Sequence, residues 1–570
     1  MAGIYGVISL SQQNSLENIS NHFHSASIDN SLNEDRSYQN FIYGRSVPSK
    51  FLDDRILAED DSLIIAYEGV CFNKEGDSFD TLKKYYYEDS LLSIKKIKGQ
   101  FSGFVYDKKI NKLFIFNDHL NTKPLYFYRS SDLFIFASEL KVVTKLLTKF
   151  DISKELNYDA LYSMLTYGYL INNVTYEKNI EKLQYATILE VDSNLEMSQK
   201  KYFYYRKTIN DSLSKNEIIE KIDTLLVKSV ERCWLKDSEY SDKYYSFLSG
   251  GLDSRVNTFL AKELGFTNIL GITFSQSNSS DEKIAKEICQ NEKFEHFFYS
   301  LDNGVLLENN LQEYVSANDG LVTLNASASG YYLLSMLDSK KFGALHTGQI
   351  GDLLFGSYIK KNFKPHSGIM SNRVELLQKI SFYDDYEQKY TNSAELFAYE
   401  ERVIHGTLNG DRTTSHFTDM LSPFYDRELI EFCLSIPDRY KKDEAIYLDW
   451  FNQKHPKIAE YVWESAGIKP KNSSCVKVAK MTKRIKNALM RRMGLRVNDM
   501  NPFDVWLRSN PKILNNLDSL YQHYLHCAPD DIKDLLDDIY HDNVHFSHYG
   551  RNNKFLVVTL LLALDLHFGD

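Results

Sequence analysis

The chain has 570 residues, 43% hydrophobic and 25% charged, with 67 basic and 77 acidic side chains for a formal net charge of −10. That length is too great for one hydrophobic core, so two or three domains are expected. The composition excludes a disordered chain, and the acidic balance excludes a general pull toward nucleic acid. Six cysteines, at 71, 233, 289, 433, 475 and 527, include no CxxC pair. That pattern argues against a disulfide framework or a zinc site and suits a reducing compartment. The start shows no basic stretch followed by an apolar one, so no secretory signal is expected and the expected location is the cytoplasm.

In chain order, residues 1 to about 205 are strand-rich. "LIIAYEGVCF", "FSGFVYD", "KLFIFND", "PLYFYR" and "LFIFASE" are short β-branched and aromatic runs broken by polar turns, which predicts an antiparallel, layered first domain. The period changes near 215. "NEIIEKIDTLLVKSVERCW" carries apolar residues at helical spacing behind Ser214, a predicted N-cap. "YYSFLSGGLDSR", "ILGITFS" and "FGALHTGQIGD" are apolar runs ending in small or polar residues, separated by helical stretches. That alternation predicts a parallel sheet with helices on both faces. The remainder is mainly helical. Its longest apolar run, "FLVVTLLLAL", is too short to span a bilayer and is expected as a buried helix.

The most informative stretch is "FLSGGLDSR", residues 247–255. An apolar strand runs into Ser249-Gly250-Gly251-Leu252-Asp253-Ser254, and a helix follows. Glycines let a ligand approach the backbone, and free N–H groups at a helix start favour an anion. Ser249 and Ser254 add hydroxyl donors. Asp253 repels phosphate by itself but fits a magnesium ligand beside pyrophosphate. Without Gly-Lys-Ser/Thr this is not a Walker-type loop. The bland alternative is a tight strand-to-helix turn that happens to contain serines.

SGGLDS resembles the pyrophosphate loop of enzymes that cleave ATP to AMP and pyrophosphate, and at this point the chain resembles the asparagine synthetase family. "KGQFSGFVYD", "FNDHLNTKPLYFY" and "FASELK" resemble its glutaminase half. "ITFS" with "SDEKIAKEIC", "TGQIGDLLFGSY" and "LSPFYDRELIEFCLSIP" resemble its synthetase half. The resemblance implies an α+β sandwich of the N-terminal-nucleophile hydrolase type over 1–205. An α/β parallel-sheet ATP pyrophosphatase domain with a helical C-terminal part would follow over 215–570. It implies ATP contacts at Leu248, Ser249, Gly250, Gly251, Asp253, Ser254, Thr273, Phe274, Thr347 and Gly348, with Mg2+ on Asp253 and Asp352. Lys469 and Lys471 are the candidates for the lysine that stabilises the reacting phosphorus and the departing pyrophosphate. Arg255 is expected to reach a phosphate or the acceptor, or else to make a salt bridge on the first helical turn.

Three departures stand out. Ala2 sits where the glutaminase nucleophile would be, and a methyl group cannot attack an amide. The family's Asn-Gly, which helps hold the tetrahedral oxyanion, is replaced by Glu68-Gly69. Glutamine hydrolysis is therefore not expected, and Cys71 is expected as a buried core thiol rather than a substitute. In "VTLNAS" Asn325 stands in place of an Arg suited to a substrate carboxylate, so an acceptor larger or less anionic than free aspartate is expected. In "TGQIGD" Gln349 replaces a Glu implicated in proton handling and cannot act as a base. His346 and Tyr358 are the nearby candidates to act instead, with structural roles as the alternative.

Residues 477–496, "KVAKMTKRIKNALMRRMGLR", hold eight basic residues and no acid. Val478, Met481, Ile485 and Leu489 fall at helical spacing. Two readings stay open: an apolar stripe packed on the domain with lysines toward water, or contact with a membrane surface or an acidic partner.

The reading is an ATP-dependent carbon–nitrogen ligase that adenylates a carboxylate on a small molecule, a peptide or a sugar. Ammonia or an amine of the substrate itself, as in β-lactam synthetases and lasso peptide cyclases, then displaces AMP. A homodimer and no nucleic-acid partner are expected. The rival readings are a non-catalytic ATP-binding scaffold or regulator and, more remotely, a tRNA-modifying thiolase. The latter lacks support from sulfur-handling cysteines or a basic RNA-binding surface.

Overall fold

The computed structural model describes residues 3–11, 17–27, 31–73, 76–360, 362–371, 373–415, 417–492, 500–542 and 553–569. Ala2 and residues 493–496 of the basic segment lie outside them. The aromatic and β-branched runs of the first two hundred residues build two six-stranded antiparallel sheets. One runs, edge to edge, Ile180–Lys182, Tyr126–Arg129, Leu133–Ala137, Gly3–Ser9, Phe41–Pro48 and Ser31–Tyr38. The other runs Met197–Lys201, Thr187–Val191, Lys112–Asn117, Gly99–Asp107, Leu63–Cys71 and Ile56–Glu59.

Side chains alternate across each strand. Ile4, Ile8, Ile64, Ala66 and Phe104 therefore point between the sheets, while Leu63, Ile65 and Val105 meet the helix Ser78–Asp89 on one outer face. Tyr5 and Val7 meet the helices Leu140–Lys149 and Tyr158–Tyr167 on the other. The result is the expected α+β sandwich. The central strands are covered on both faces and read as nearly unbroken apolar runs, whereas the edge strands Ser31–Tyr38 and Met197–Lys201 are polar and partly open to solvent.

Ser214 caps the helix Lys215–Asp237 as expected, its hydroxyl accepting from Glu217 N while the Glu217 carboxylate accepts from Ser214 N at 2.9 Å. A five-stranded parallel sheet follows, ordered Glu295–Ser300, Ile269–Ser275, Tyr244–Phe247, Leu345–His346 and Met420–Leu421. Helices cover both its faces, and the chain beyond 421 is helical. The run "FLVVTLLLAL" is a buried helix, Asn553–Phe568. It packs into one continuous core with Tyr5, Val7, Leu146 and Leu161 of the first sheet and its helices. No helix among the described residues is long and apolar enough to cross a membrane.

The antiparallel and parallel halves meet across a buried cluster of four charges. Arg55 donates to Glu68 at 3.1 Å and also pairs with Asp419, while Lys123 reaches Asp419 at 2.7 Å and Glu68 at 3.5 Å. All four side chains are buried. Burial alone would raise the Asp419 carboxyl, but Arg55 and Lys123 outweigh it and hold it well below the ordinary carboxylate range.

Asp419→Ala leaves two buried cations short of a carboxylate and is expected to cost about 3–5 kcal/mol, read as a lower urea midpoint. Lys84→Ala removes only the exposed i,i+4 partner of Glu88, and about 1 kcal/mol or less is expected there. Because the folded Asp419 carboxyl is depressed, its contribution is complete above an unfolded value of about 4 and fades as pH falls through the folded value. Equal midpoints for the Asp419 variant and the parent chain would contradict the assignment.

Candidate active site

The site lies where a parallel-sheet fold places ligands, outside the carboxyl ends of the strands. Tyr244–Phe247 runs into the loop, and the helix Leu252–Glu263 begins at the Gly251 cap. The loop is ordered by its own hydroxyls: Ser249 N donates to Ser254 Oγ at 3.3 Å and Gly251 N to Ser249 Oγ at 3.1 Å. Gly250 N donates to Asp281 at 2.9 Å, so a carboxylate takes an N–H that a phosphate would otherwise meet. The neighbouring strand ends beside the loop, with Thr273 donating to Leu248 O at 2.7 Å and Phe274 packed edge-on against Phe247.

The second motif closes directly on this loop. Asp352 N donates to Asp253 Oδ2 at 2.9 Å. A Cβ on Gly348 would sit 2.3 Å from Ser254 N, and one on Gly351 2.5 Å from Asp253 Cγ, so both positions require glycine for backbone approach. Thr347 is held by Leu421 and Asn257 through its backbone. Burial first, and then the charge of Asp352, push the Asp253 carboxyl well above its ordinary value; Glu444 adds to this and Tyr447 opposes it. The Asp352 charge that bears on Asp253 is one that a cation at this place would offset. No group of three or more His, Cys, Asp or Glu side chains among the described residues is placed to hold a metal. The donor set fits Mg2+, which takes one or two protein carboxylates and fills the rest of its shell with phosphate oxygens and water.

Arg255 departs from both expectations. It is fully buried and spends its guanidinium on four backbone carbonyls, those of Gly250, Ile458, Tyr461 and Val462, at 2.7–3.2 Å. It ties the loop to a later segment instead of reaching a ligand. Glu464 N donates to Gly250 O at 3.0 Å, and a bridge between Trp463 and Ile468 turns the chain back. Lys469 and Lys471 follow that turn, exposed and without an ion-pair partner among the described residues.

His346 also departs from its candidate role. It is fully buried, stacks on Trp234 at 3.9 Å and contacts Asp237 at 3.2 Å, inside the core rather than the cleft. Cys71 is half-buried rather than buried and lies at a strand end. Asn325 is buried and accepts from the Thr323 hydroxyl at 2.8 Å. Its helix, Leu324–Ser335, packs on Leu408–Arg412. Tyr358 is half-buried, and its hydroxyl is pushed up to about 12 by burial, with Arg402 opposing and Asp352 adding to the shift.

Two residues were missed in the sequence. The Asp411 carboxylate accepts from Gln349 Nε2 at 3.2 Å and from the Tyr425 hydroxyl at 2.8 Å. It lines a cleft with Lys123, Arg412 and Asp419. Burial pushes its carboxyl up to about 7 against those two hydrogen bonds. The Arg402 guanidinium lies 5.2 Å from the Tyr358 ring centre, exposed, on a wide helical turn over Ala398–Thr407. Neither carried a sequence signal, because each acquires its meaning from residues distant in the chain.

A glutamine amidotransferase domain model matches residues 62–203 and an asparagine synthase model residues 221–417. The glutamine-hydrolyzing asparagine synthetase 2 of Bacillus subtilis is 24% identical over 464 residues, 68% of this chain and 59% of that protein. The Methanocaldococcus jannaschii protein designated asparagine synthetase 2 is 25% identical over 331 residues, 54% of this chain and 62% of its own length. The chain thus spans about three fifths of the length of these curated relatives. A solved Bacillus subtilis glutamine phosphoribosylpyrophosphate amidotransferase matches at 10% identity and a TM-score of 0.24, covering 52% of this chain and 65% of that one.

Gly348→Ala is expected to weaken ATP binding about tenfold or more, since the methyl meets backbone rather than a movable side chain. Gly410→Ala, where a Cβ meets nothing within 4 Å, is the control. Titration calorimetry with ATP reads both, and equal affinity in the two variants would contradict the interlocked-loop geometry.

Proposed function

The chain belongs to the asparagine synthetase-like family, and from that premise we propose an ATP-dependent, AMP-forming carbon–nitrogen ligase that makes an amide without hydrolysing glutamine. The observation that carries this reading is the interlock of Asp352 with Asp253 across two glycine approaches. The domain boundary is placed at 205–215, between the last strand of the sandwich and the helix capped by Ser214.

An acceptor carboxylate oxygen attacks the α-phosphorus of ATP, and the bond to pyrophosphate breaks. An amine nitrogen then attacks the acyl carbon, the bond to AMP breaks and the amine loses a proton. On this reading the Ser249 and Ser254 hydroxyls receive the phosphates, and the loop N–H groups join them by exchanging their internal acceptors, Ser249, Ser254 and Asp281, for phosphate oxygens. Asp253 and Asp352 would hold Mg2+, which when bound would supply charge neutralisation. Lys469 and Lys471, which follow the turn whose Glu464 N donates to Gly250 O, are the side chains proposed to reach the departing pyrophosphate.

The proton-handling role passes from position 349 to Asp411, which Gln349 holds by its amide. A carboxyl near pH 7 in a cleft suits a general base. The acceptor carboxylate meets Arg402 beside Tyr358 and Asp352, replacing the grip that Asn325 cannot provide. On the glutaminase side, Glu68 supports the closed reading. It is a fully buried acid paired with Arg55, with no donor to offer an oxyanion.

ATP-dependent pyrophosphate release is the test, across aspartate, precursor peptides and uronic acids. Release is expected to need one carboxylate and to fall about a hundredfold or more in Asp253→Ala. Turnover is expected with ammonia or a substrate amine and not with glutamine alone. ATP binding without release on any acceptor would favour an ATP-binding scaffold.

The rate is expected to rise as pH passes about 7, where Asp411 deprotonates. Asp411→Asn is expected to lose that limb while keeping ATP affinity. An unchanged limb in the variant would remove Asp411 from the mechanism.

A further inference from the structure

The helix Ser473–Arg492 packs the wrong way round for an ordinary surface helix. Its stripe of Val478, Met481, Ile485 and Leu489 is 62%, 61%, 54% and 53% exposed. Lys480 and Lys483 lie on the face turned toward the domain, where Val476 is buried beside them, while Lys477 stays exposed. Lys477 pairs with Asp443 at 2.7 Å and Lys483 with Glu464 at 2.7 Å. Lys480 pairs with Glu444 and lies 3.8 Å from the Trp463 ring centre. Val476 and the pairs of Lys480 with Glu444 and Lys483 with Glu464 seat one face on the domain, and the stripe on the opposite face points out. Among the described residues nothing covers that face.

We propose that this helix is a peripheral membrane contact that seats the protein on an anionic lipid surface. The apolar stripe is long enough for four side chains to enter the interface together. At 100° per residue Lys486 flanks it on one side and Arg484 on the other, both exposed and neither ion-paired among the described residues. An apolar stripe bordered by unpaired cations matches the apolar interior and anionic headgroups of a bilayer. In a chain of net charge −10 such a segment needs a local reason. The helix is held by Glu444 and Glu464, which adjoin Asp253 and Gly250. Seating it therefore brings the nucleotide loop close to the lipid surface.

The test is flotation of the full chain with vesicles of phosphatidylcholine alone and with about a third phosphatidylserine. Binding is expected on the anionic vesicles, about tenfold or more above the neutral ones, and to fall in high salt. Met481→Glu with Ile485→Glu, and separately Arg484→Glu with Lys486→Glu, are each expected to abolish it. Circular dichroism and an unchanged melting temperature establish that the variants fold. Equal binding to neutral vesicles, or undiminished binding by the Met481/Ile485 variant, overturns the proposal. So does a dimer in sedimentation that the same variant dissociates, since a second copy would then own the stripe.

Discussion

Four buried charges set the geometry on which the rest of the molecule depends. Arg55 and Lys123 come from the antiparallel half, and Asp419 comes from the parallel half, one residue before the strand Met420–Leu421. Leu421 O accepts from Thr347 N, and Thr347 opens the segment whose glycines close on Ser254 and Asp253. Position is handed along a continuous chain of contacts from a buried ion cluster to the nucleotide loop. Burying four charges has a desolvation cost that their pairing only offsets, so the cluster serves orientation better than stability. The same cluster contains Glu68, so the strand Leu63–Cys71 is tied into the contacts that join the halves.

The architecture was largely legible in the sequence, for physical reasons that differ by element. The central sandwich strands stand out as aromatic and β-branched runs because both of their faces are buried. Ser214 and Glu217 form a local cap whose whole mechanism lies within four residues. The loop at 249–254 was legible because glycine, serine and aspartate at fixed offsets have few reasons to occur together. In each case the determining partners are close in the chain.

What was not legible depends on distant partners. Arg255 follows the loop directly, yet its role is fixed by carbonyls some two hundred residues away. His346 sits in a motif but points into the core because Trp234 and Asp237 receive it there. Asp411 reads as an ordinary surface acid until Gln349 and Tyr425 are brought onto it. The basic helix is the sharpest case. Its periodicity gave an amphipathic stripe but not its direction, which is decided by the buried Val476 and by Glu444 and Glu464.

The parallel-sheet half is proposed to form an acyl-adenylate on a carboxylate acceptor. Mass spectrometry of AMP made from an acceptor whose carboxylate carries 18O tests it most directly. Attack by that carboxylate on the α-phosphorus, followed by displacement at the acyl carbon, leaves one labelled oxygen in AMP, and that is the result the account predicts. Label recovered in inorganic phosphate with ADP as the nucleotide product, or unlabelled AMP alongside amide product, would contradict it.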